Sequence, residues 1–141
     1  METVLKAPDM ARPALSLRFT HVQALSSRGN HRIRLDDEGF LFVDVVTQDC
    51  PRGTPWSGGW PDVPLRRLSA AECDGLAGLI LDSGFLDLAA AWFQAGRDGY
   101  REELEVSLGP RTHKVTVERA QPPTAFIRVR SAVWKLAGLA G

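Results

Sequence analysis

His31-Arg32-Ile33-Arg34-Leu35-Asp36-Asp37-Glu38-Gly39-Phe40-Leu41-Phe42-Val43-Asp44-Val45-Val46-Thr47 is the stretch on which the fold turns. Ile33 and Leu35 alternate with Arg32 and Arg34, the period of a strand with one buried face. Asp36 to Gly39 supplies a turn, with a glycine able to take positive φ. Phe40 to Thr47 follows, dense in aromatic and β-branched residues. The two runs read as a β-hairpin.

Upstream, Leu15, Leu17 and Phe19 alternate with Ser16, Arg18 and Thr20, which predicts a further strand, and Ser26 to Asn30 forms a turn cluster. Downstream, residues 48–68 hold four prolines and three glycines and are expected as one long irregular loop. Ser69 and Glu72 then match a capping box. Beyond them Cys73, Leu76, Ala77, Ile80 and Leu81 fall on one helical face. Gly75 and Gly78 each cost ~1 kcal/mol against Ala in such a helix, and close packing on the sheet is the expected reason for them. Asp82-Ser83-Gly84 ends the helix, and Phe85 to Phe93 is expected as a short second helical piece.

Gly96 to Gly99 is another turn. Leu104, Val106 and Leu108, then Val115 and Val117, mark a second hairpin joined by Gly109-Pro110-Arg111. Glu103 and Glu105 are expected to face Lys114 on its outer surface. Pro122 and Pro123 open a last helix, with Phe126, Val129, Val133 and Leu136 at helical spacing. The order strand, hairpin, loop, helix, hairpin, helix predicts an α+β two-layer sandwich. Both helices would pack on one face of an about five-stranded, mainly antiparallel sheet. Residues 1–14 are expected as a flexible tail and 15–141 as a single domain.

From Leu17 to Leu139 the layout resembles a family of small, uncharacterised bacterial domains. The likeness rests on Asp37 to Phe42, Leu68-Ser69-Ala70-Ala71-Glu72, Gly84-Phe85, and Pro123 with its helix. That family tends to carry a Cys-rich segment and a Tyr before its second strand. Ser26 to His31 stands there in this chain, without cysteine. The resemblance implies the fold and no activity.

At 141 residues, 44% apolar and 24% charged, the composition is that of an ordinary globular domain. Seventeen basic residues balance seventeen acidic ones, and neither half of the chain is basic, so non-specific nucleic-acid binding is not expected. No run approaches a membrane span, and Met1 to Leu15 lacks the features of a secretory signal, which points to the cytoplasm and to reduced Cys50 and Cys73.

His21, His31, His113, Cys50 and Cys73 are scattered without metal-ligand spacing, so no metal or other cofactor is expected. No G-x-S-x-G, P-loop or G-x-G-x-x-G motif is present, and no catalytic residue is assigned. Asp36-Asp37-Glu38 reads as a solvated hairpin tip. Cys73 lies on the apolar helix face and reads as a small buried hydrophobe. Cys50, beside Asp49 and Arg52, is the one thiol that a nearby histidine could activate.

The segment Thr54-Pro55-Trp56-Ser57-Gly58-Gly59-Trp60-Pro61 sets two tryptophans around a flexible centre, the residue type enriched in binding hot spots. Arg52, Arg66 and Arg67 lie close by in sequence and offer cation–π or anion contacts. A bland alternative has both indoles folding back as a lid that seals one end of the core. Trp92 and Trp134 sit on helical patterns and are expected mostly in the core, Trp134 near its edge. Arg18, Arg32 and Arg34 point to the outer sheet face; convergence with Arg66 and Arg67 would suit an acidic partner.

The function expected is a non-enzymatic binding or protein-interaction module. It would use the 48–68 loop, with Trp56, Trp60, Arg52, Arg66 and Arg67 as binding residues and another protein or a small ligand as partner. The alternatives are a thiol-dependent enzyme or redox protein using Cys50, and a subunit of a larger assembly that self-pairs through an edge strand.

Overall fold

The computed structural model describes residues 13–139. Four strands come first: β1 (Leu15–Gln23), β2 (His31–Leu35), β3 (Phe40–Val45) and β4 (Arg66–Arg67). Helix α1 (Ala70–Ser83) and a 3-10 turn (Phe85–Asp87) lead into β5 (Ala91–Phe93). Strands β6 (Tyr100–Leu108) and β7 (Arg111–Glu118) and helix α2 (Thr124–Leu136) complete the domain. The tail expected over residues 1–14 falls almost wholly outside the described residues.

The fold is α+β, with two helices and one mixed sheet of seven strands in the order β4-β3-β2-β1-β6-β7-β5. The sheet is larger than the five antiparallel strands the sequence suggests. Both additional strands sit at its edges, and they are two and three residues long. Alternation needs four or more residues to show, so neither could announce itself. Strand β4 lies in the stretch expected as irregular loop, and β5 in the stretch expected as helix. Strand β5 also runs parallel to β7, the one parallel pairing among the described strands.

The central seam joins β1 to β6 over nine register pairs, from Leu15↔Leu108 to Gln23↔Tyr100. Residues of one parity point inward: Leu15, Leu17 and Phe19 on β1, Ile33 and Leu35 on β2, Leu104, Val106 and Leu108 on β6. They share a single core with Leu76 and Ile80 of α1 and Phe126, Val129 and Val133 of α2. Fully burying a side chain of this size stabilises by ~1.5–3 kcal/mol.

Helix α1 begins with the capping box. The Ser69 hydroxyl accepts from Glu72 N at 3.1 Å, and the Glu72 carboxylate accepts from Ser69 N at 2.9 Å. It ends at Gly84, whose φ of 82° is left-handed. Two expectations for this helix fail. Leu81, assigned to the apolar face, is 55% exposed. Gly75 and Gly78 do not pack closely on anything, because a Cβ on either would meet no atom within 4 Å. At the tip of the first hairpin, Asp36 Oδ1 accepts from Glu38 N at 3.0 Å and Phe40 N at 2.9 Å. Gly39 there has φ 92°, which explains the glycine.

Candidate functional site

Two constellations of polar and aromatic side chains lie on opposite faces of the sheet. The outer face carries the 48–65 segment, which is irregular as expected but fixed at several points. Ser26 Oγ donates to Asp49 Oδ1 at 2.8 Å, and Cys50 N donates to Ser27 Oγ at 2.6 Å. The Ser26 hydroxyl holds the Asp49 carboxyl below its ordinary range. Buried Asn30 accepts from Gln23 N and donates to Pro55 O at 3.1 Å. Leu65 N donates to Leu41 O at 2.7 Å and leads the chain into β4.

Between these anchors the segment closes over Arg32. The guanidinium carbon stands 4.6 Å from the Trp56 ring and 4.5 Å from the Trp60 ring. Its edges are spent as well: Nε donates to Asp44 Oδ2 at 2.8 Å and an Nη donates to Gly58 O at 2.8 Å. Asp44 is the register partner of Arg32 across β2 and β3. Arg32 is thereby only 7% exposed on the face that no helix covers. Trp60 also lies 5.3 Å from the Arg34 guanidinium, whose other aromatic neighbour is Phe42 at 4.1 Å. Trp56, Arg32, Trp60, Arg34 and Phe42 form an alternating ladder of rings and cations, each cation–π contact worth ~0.5–2 kcal/mol according to its exposure.

Trp56 and Trp60 therefore pack on the outer sheet face and take no part in the hydrophobic core, so they do not seal it. Trp92, on β5 rather than a helix, and Trp134 are the indoles that pack against the core, both partly buried. Of the predicted arginines, Arg52 is exposed in the loop and lines a groove of about 840 Å³ with Arg28, Asp49 and Cys50. Arg66 and Arg67 are not brought to the tryptophans. Arg66 makes two hydrogen bonds to the Glu72 carboxylate, at 3.2 and 2.8 Å, and donates to Leu136 O, tying β4 to both helices. That fork pulls the Glu72 carboxyl down to about 2. Arg67 donates to Glu38 O and stacks 4.8 Å from Phe40.

The inner face holds the second constellation, at the end of the sandwich where β1, β2 and β6 meet α2. Glu102 is 1% exposed and shares the inward parity of Leu104. One of its oxygens accepts from Arg130 of α2, and the other from His21 Nδ1 at 2.7 Å. The His21 ring stacks on His31 (4.8 Å, 12° between planes) and on Tyr100 (4.9 Å). His31 Nδ1 lies 3.0 Å from Gly29 O; a carbonyl only accepts, so Nδ1 carries the hydrogen and Nε2 the lone pair. Burial lowers the pKa of His31 below the ordinary histidine value. Arg130 stacks 4.5 Å from Trp134, and the His31 and Trp134 rings lie 5.9 Å apart. Three atoms here, His31 Nε2, Arg130 Nε and Trp134 Nε1, are buried without a hydrogen-bond partner among the described residues.

This inner cluster was not assembled by sequence reasoning, which left His21 and His31 scattered without metal-ligand spacing. Parity was the available signal: His21 falls in step with Leu17 and Phe19, His31 with Ile33 and Leu35, and Glu102 with Leu104. Among the described residues no group of three His, Cys, Asp or Glu side chains is arranged to hold a metal ion. Among the described residues the Cys50 sulphur has one polar contact, Gln48 O at 3.9 Å, and no histidine is bonded to it. No helix among the described residues is long and apolar enough to cross a membrane.

No protein-family description matches the chain. No curated protein is similar to it in sequence either.

Proposed function

We propose that the protein is a non-enzymatic binding module whose working surface is the Trp- and Arg-bearing loop together with the outer sheet face beneath it. The observation that carries this reading is the clamp on Arg32. Two indoles, one carboxylate and one backbone carbonyl are committed to a single arginine on a face that neither helix covers. None of these groups contributes to the core, so the arrangement fixes a surface loop rather than the fold. A loop held this way presents half-buried Trp56 and Trp60 in one conformation, with Val63 and Leu65 exposed at 76% and 55%. Fixing the loop before binding removes an entropic cost that a mobile loop would meet on binding.

Arg52 belongs to that surface, through the groove it shares with Cys50. Arg66 and Arg67 act as staples of the edge strand and enter the reading only as its support. The layout likeness to small bacterial domains bears on the fold of this module and adds no activity. A partner protein is the favoured ligand, in the cytoplasm.

The test compares wild type with the Trp56→Ala/Trp60→Ala double variant as bait in extract from the source cells, followed by titration of any retained protein with purified domain. A partner whose binding weakens at least tenfold in a still-folded variant supports the reading. A partner bound equally by both, or none bound by wild type, overturns it.

A further inference from the structure

Resting on that reading, we infer that His31 is an acid-sensitive latch on the Trp-bearing loop. Neutral, it holds the start of β2 and the loop attached there. Protonated, it leaves the inner face and frees the loop, so that the module releases its partner in mildly acidic surroundings. Asn30, His31 and Arg32 follow one another where the chain enters β2, and the loop is tied to the first and the third. Asn30 Nδ2 donates to Pro55 O at 3.1 Å; an Arg32 Nη donates to Gly58 O, beneath Trp56 and Trp60. His31, between them, points to the opposite face, where its ring stacks on His21. Asn30 also closes the end of the sheet: its Oδ1 accepts from Gln23 N and its carbonyl from Val46 N, each at 2.8 Å.

The inner face accepts His31 as a neutral ring and opposes it as a cation. Nδ1–H donates to Gly29 O, which leaves the lone pair on Nε2. Among the described residues three buried side-chain atoms lack a hydrogen-bond partner: His31 Nε2, Arg130 Nε and Trp134 Nε1. Arginine and tryptophan only donate. The His31 lone pair is thus the one acceptor of the three, and a proton on it turns all three into donors. Charge acts in the same direction. His21 of β1 lies against the ring, Tyr100 of β6 stacks on His21, and Arg130 of α2 supplies a cation. Glu102 of β6 is the one carboxylate of the cluster, and both its oxygens are engaged, by Arg130 and His21. Val45, opposite His31 on β3, carries no charge. Burial lowers the pKa of His31, and His21 and Arg130 push it the same way against the Gly29 carbonyl and Glu102.

Relief lies close at hand. His31 is half-buried and is the first residue of β2, so its pairings with His21 and Val45 are the terminal register pairs of that strand. Opening them delivers the imidazolium to water by a local rather than a global rearrangement. Asn30 is drawn away with its neighbour, and its bond to Pro55 O goes with it. Ile33 and Leu35 belong to the core and keep the rest of β2 in place. Because the folded pKa is lowered, the closed form binds fewer protons than the open one. The latch is fully closed above the ordinary value of 6.5 and opens as pH falls through the folded value. The freed loop loses its preorganisation, and the partner is held less tightly.

The experiment is a proton titration of the whole domain, without a partner, from neutral pH to about pH 5, followed by NMR. The signals read are the rings of His21, His31 and His113, the side-chain amide of Asn30, and the indoles of Trp56 and Trp60. Amide exchange at Val46 and Leu104 is measured alongside and corrected for its intrinsic pH dependence. The Asn30 and indole signals should shift with the midpoint of the His31 ring. Exchange at Val46 should rise about tenfold while Leu104 stays protected. His31→Gln keeps a donor and an acceptor and does not titrate, so those shifts should vanish in it. If that variant does not fold, the wild-type midpoints decide. Signals that follow His21, His113 or the carboxyls, that do not move, or that move equally in His31→Gln overturn the inference, as does loss of Leu104 protection in step with Val46. A failed latch leaves the binding module standing if Trp56→Ala/Trp60→Ala still loses its partner. A working latch on a domain that retains no partner overturns the module alone.

Discussion

Arg32 and Glu102 are buried charges on opposite faces of one sheet, and they are stabilised by different means. Glu102 sits beneath α2 and receives hydrogen bonds from Arg130 and His21. Arg32 sits beneath a loop and is covered by two indoles, with one carboxylate and one carbonyl at its edges. The difference follows from the groups themselves. A guanidinium has flat, weakly hydrated faces that an aromatic ring can cover. A carboxylate has no such face, and its burial depends on donors alone. The inner site is therefore brittle and the outer one divisible.

That contrast sets the largest expected effect at Glu102. Glu102→Leu strands the Arg130 cation in a buried site and should cost ~3–5 kcal/mol in denaturant unfolding. Adding Arg130→Leu should recover most of the loss. A single variant within ~1 kcal/mol of wild type would show that water reaches this cluster. On the outer face, Trp60→Ala removes one ring from Arg32 and one from Arg34 and should cost only ~1–2 kcal/mol. Amide protection of Val106 and Val117 should persist there, since the indole lies outside the core. Collapse of that protection would erase the distinction between the two faces.

A smaller effect, of opposite sign, calibrates both. Gly78→Ala on α1 meets open space and should stabilise by ~1 kcal/mol, measured as a raised Tm. The smallest effect is expected from acid. The folded pKa of His31 lies below its ordinary value of 6.5, so the folded state binds fewer protons than the unfolded one. Its contribution is complete above that value and is lost as pH falls through the folded pKa. Protonation places a cation against His21 and Arg130, with Glu102 the one carboxylate in the cluster. A His31→Gln variant should lose stability less steeply than wild type between neutral pH and the onset of carboxyl titration. Parallel curves would remove His31 from the account.

Much of the fold was legible because β1, β2, β6 and β7 each run five residues or more with one buried face. The capping box and Gly84 likewise follow from local chemistry. The two edge strands were illegible because two or three residues carry no period, and Leu81 because helical spacing does not say how wide the covered stripe is. The site was legible as far as Trp56 and Trp60. Arg66 and Arg67 were misplaced by sequence proximity: a two-residue strand turns their chain away to the helices and the hairpin tip. Glu102 and His21 were readable only from parity, and their meeting depends on the β1–β6 pairing, which no local pattern specifies.

That pairing has a kinetic consequence. His21 and Glu102 lie 81 positions apart along the chain, whereas β1–β2, β2–β3 and β6–β7 are local hairpins that can zip early. Closing so long a loop costs entropy before any contact rewards it. The middle of the sheet is thus set to join after its two wings, and substitutions in the early hairpins should slow refolding, where those at contacts completed only after the join chiefly hasten unfolding.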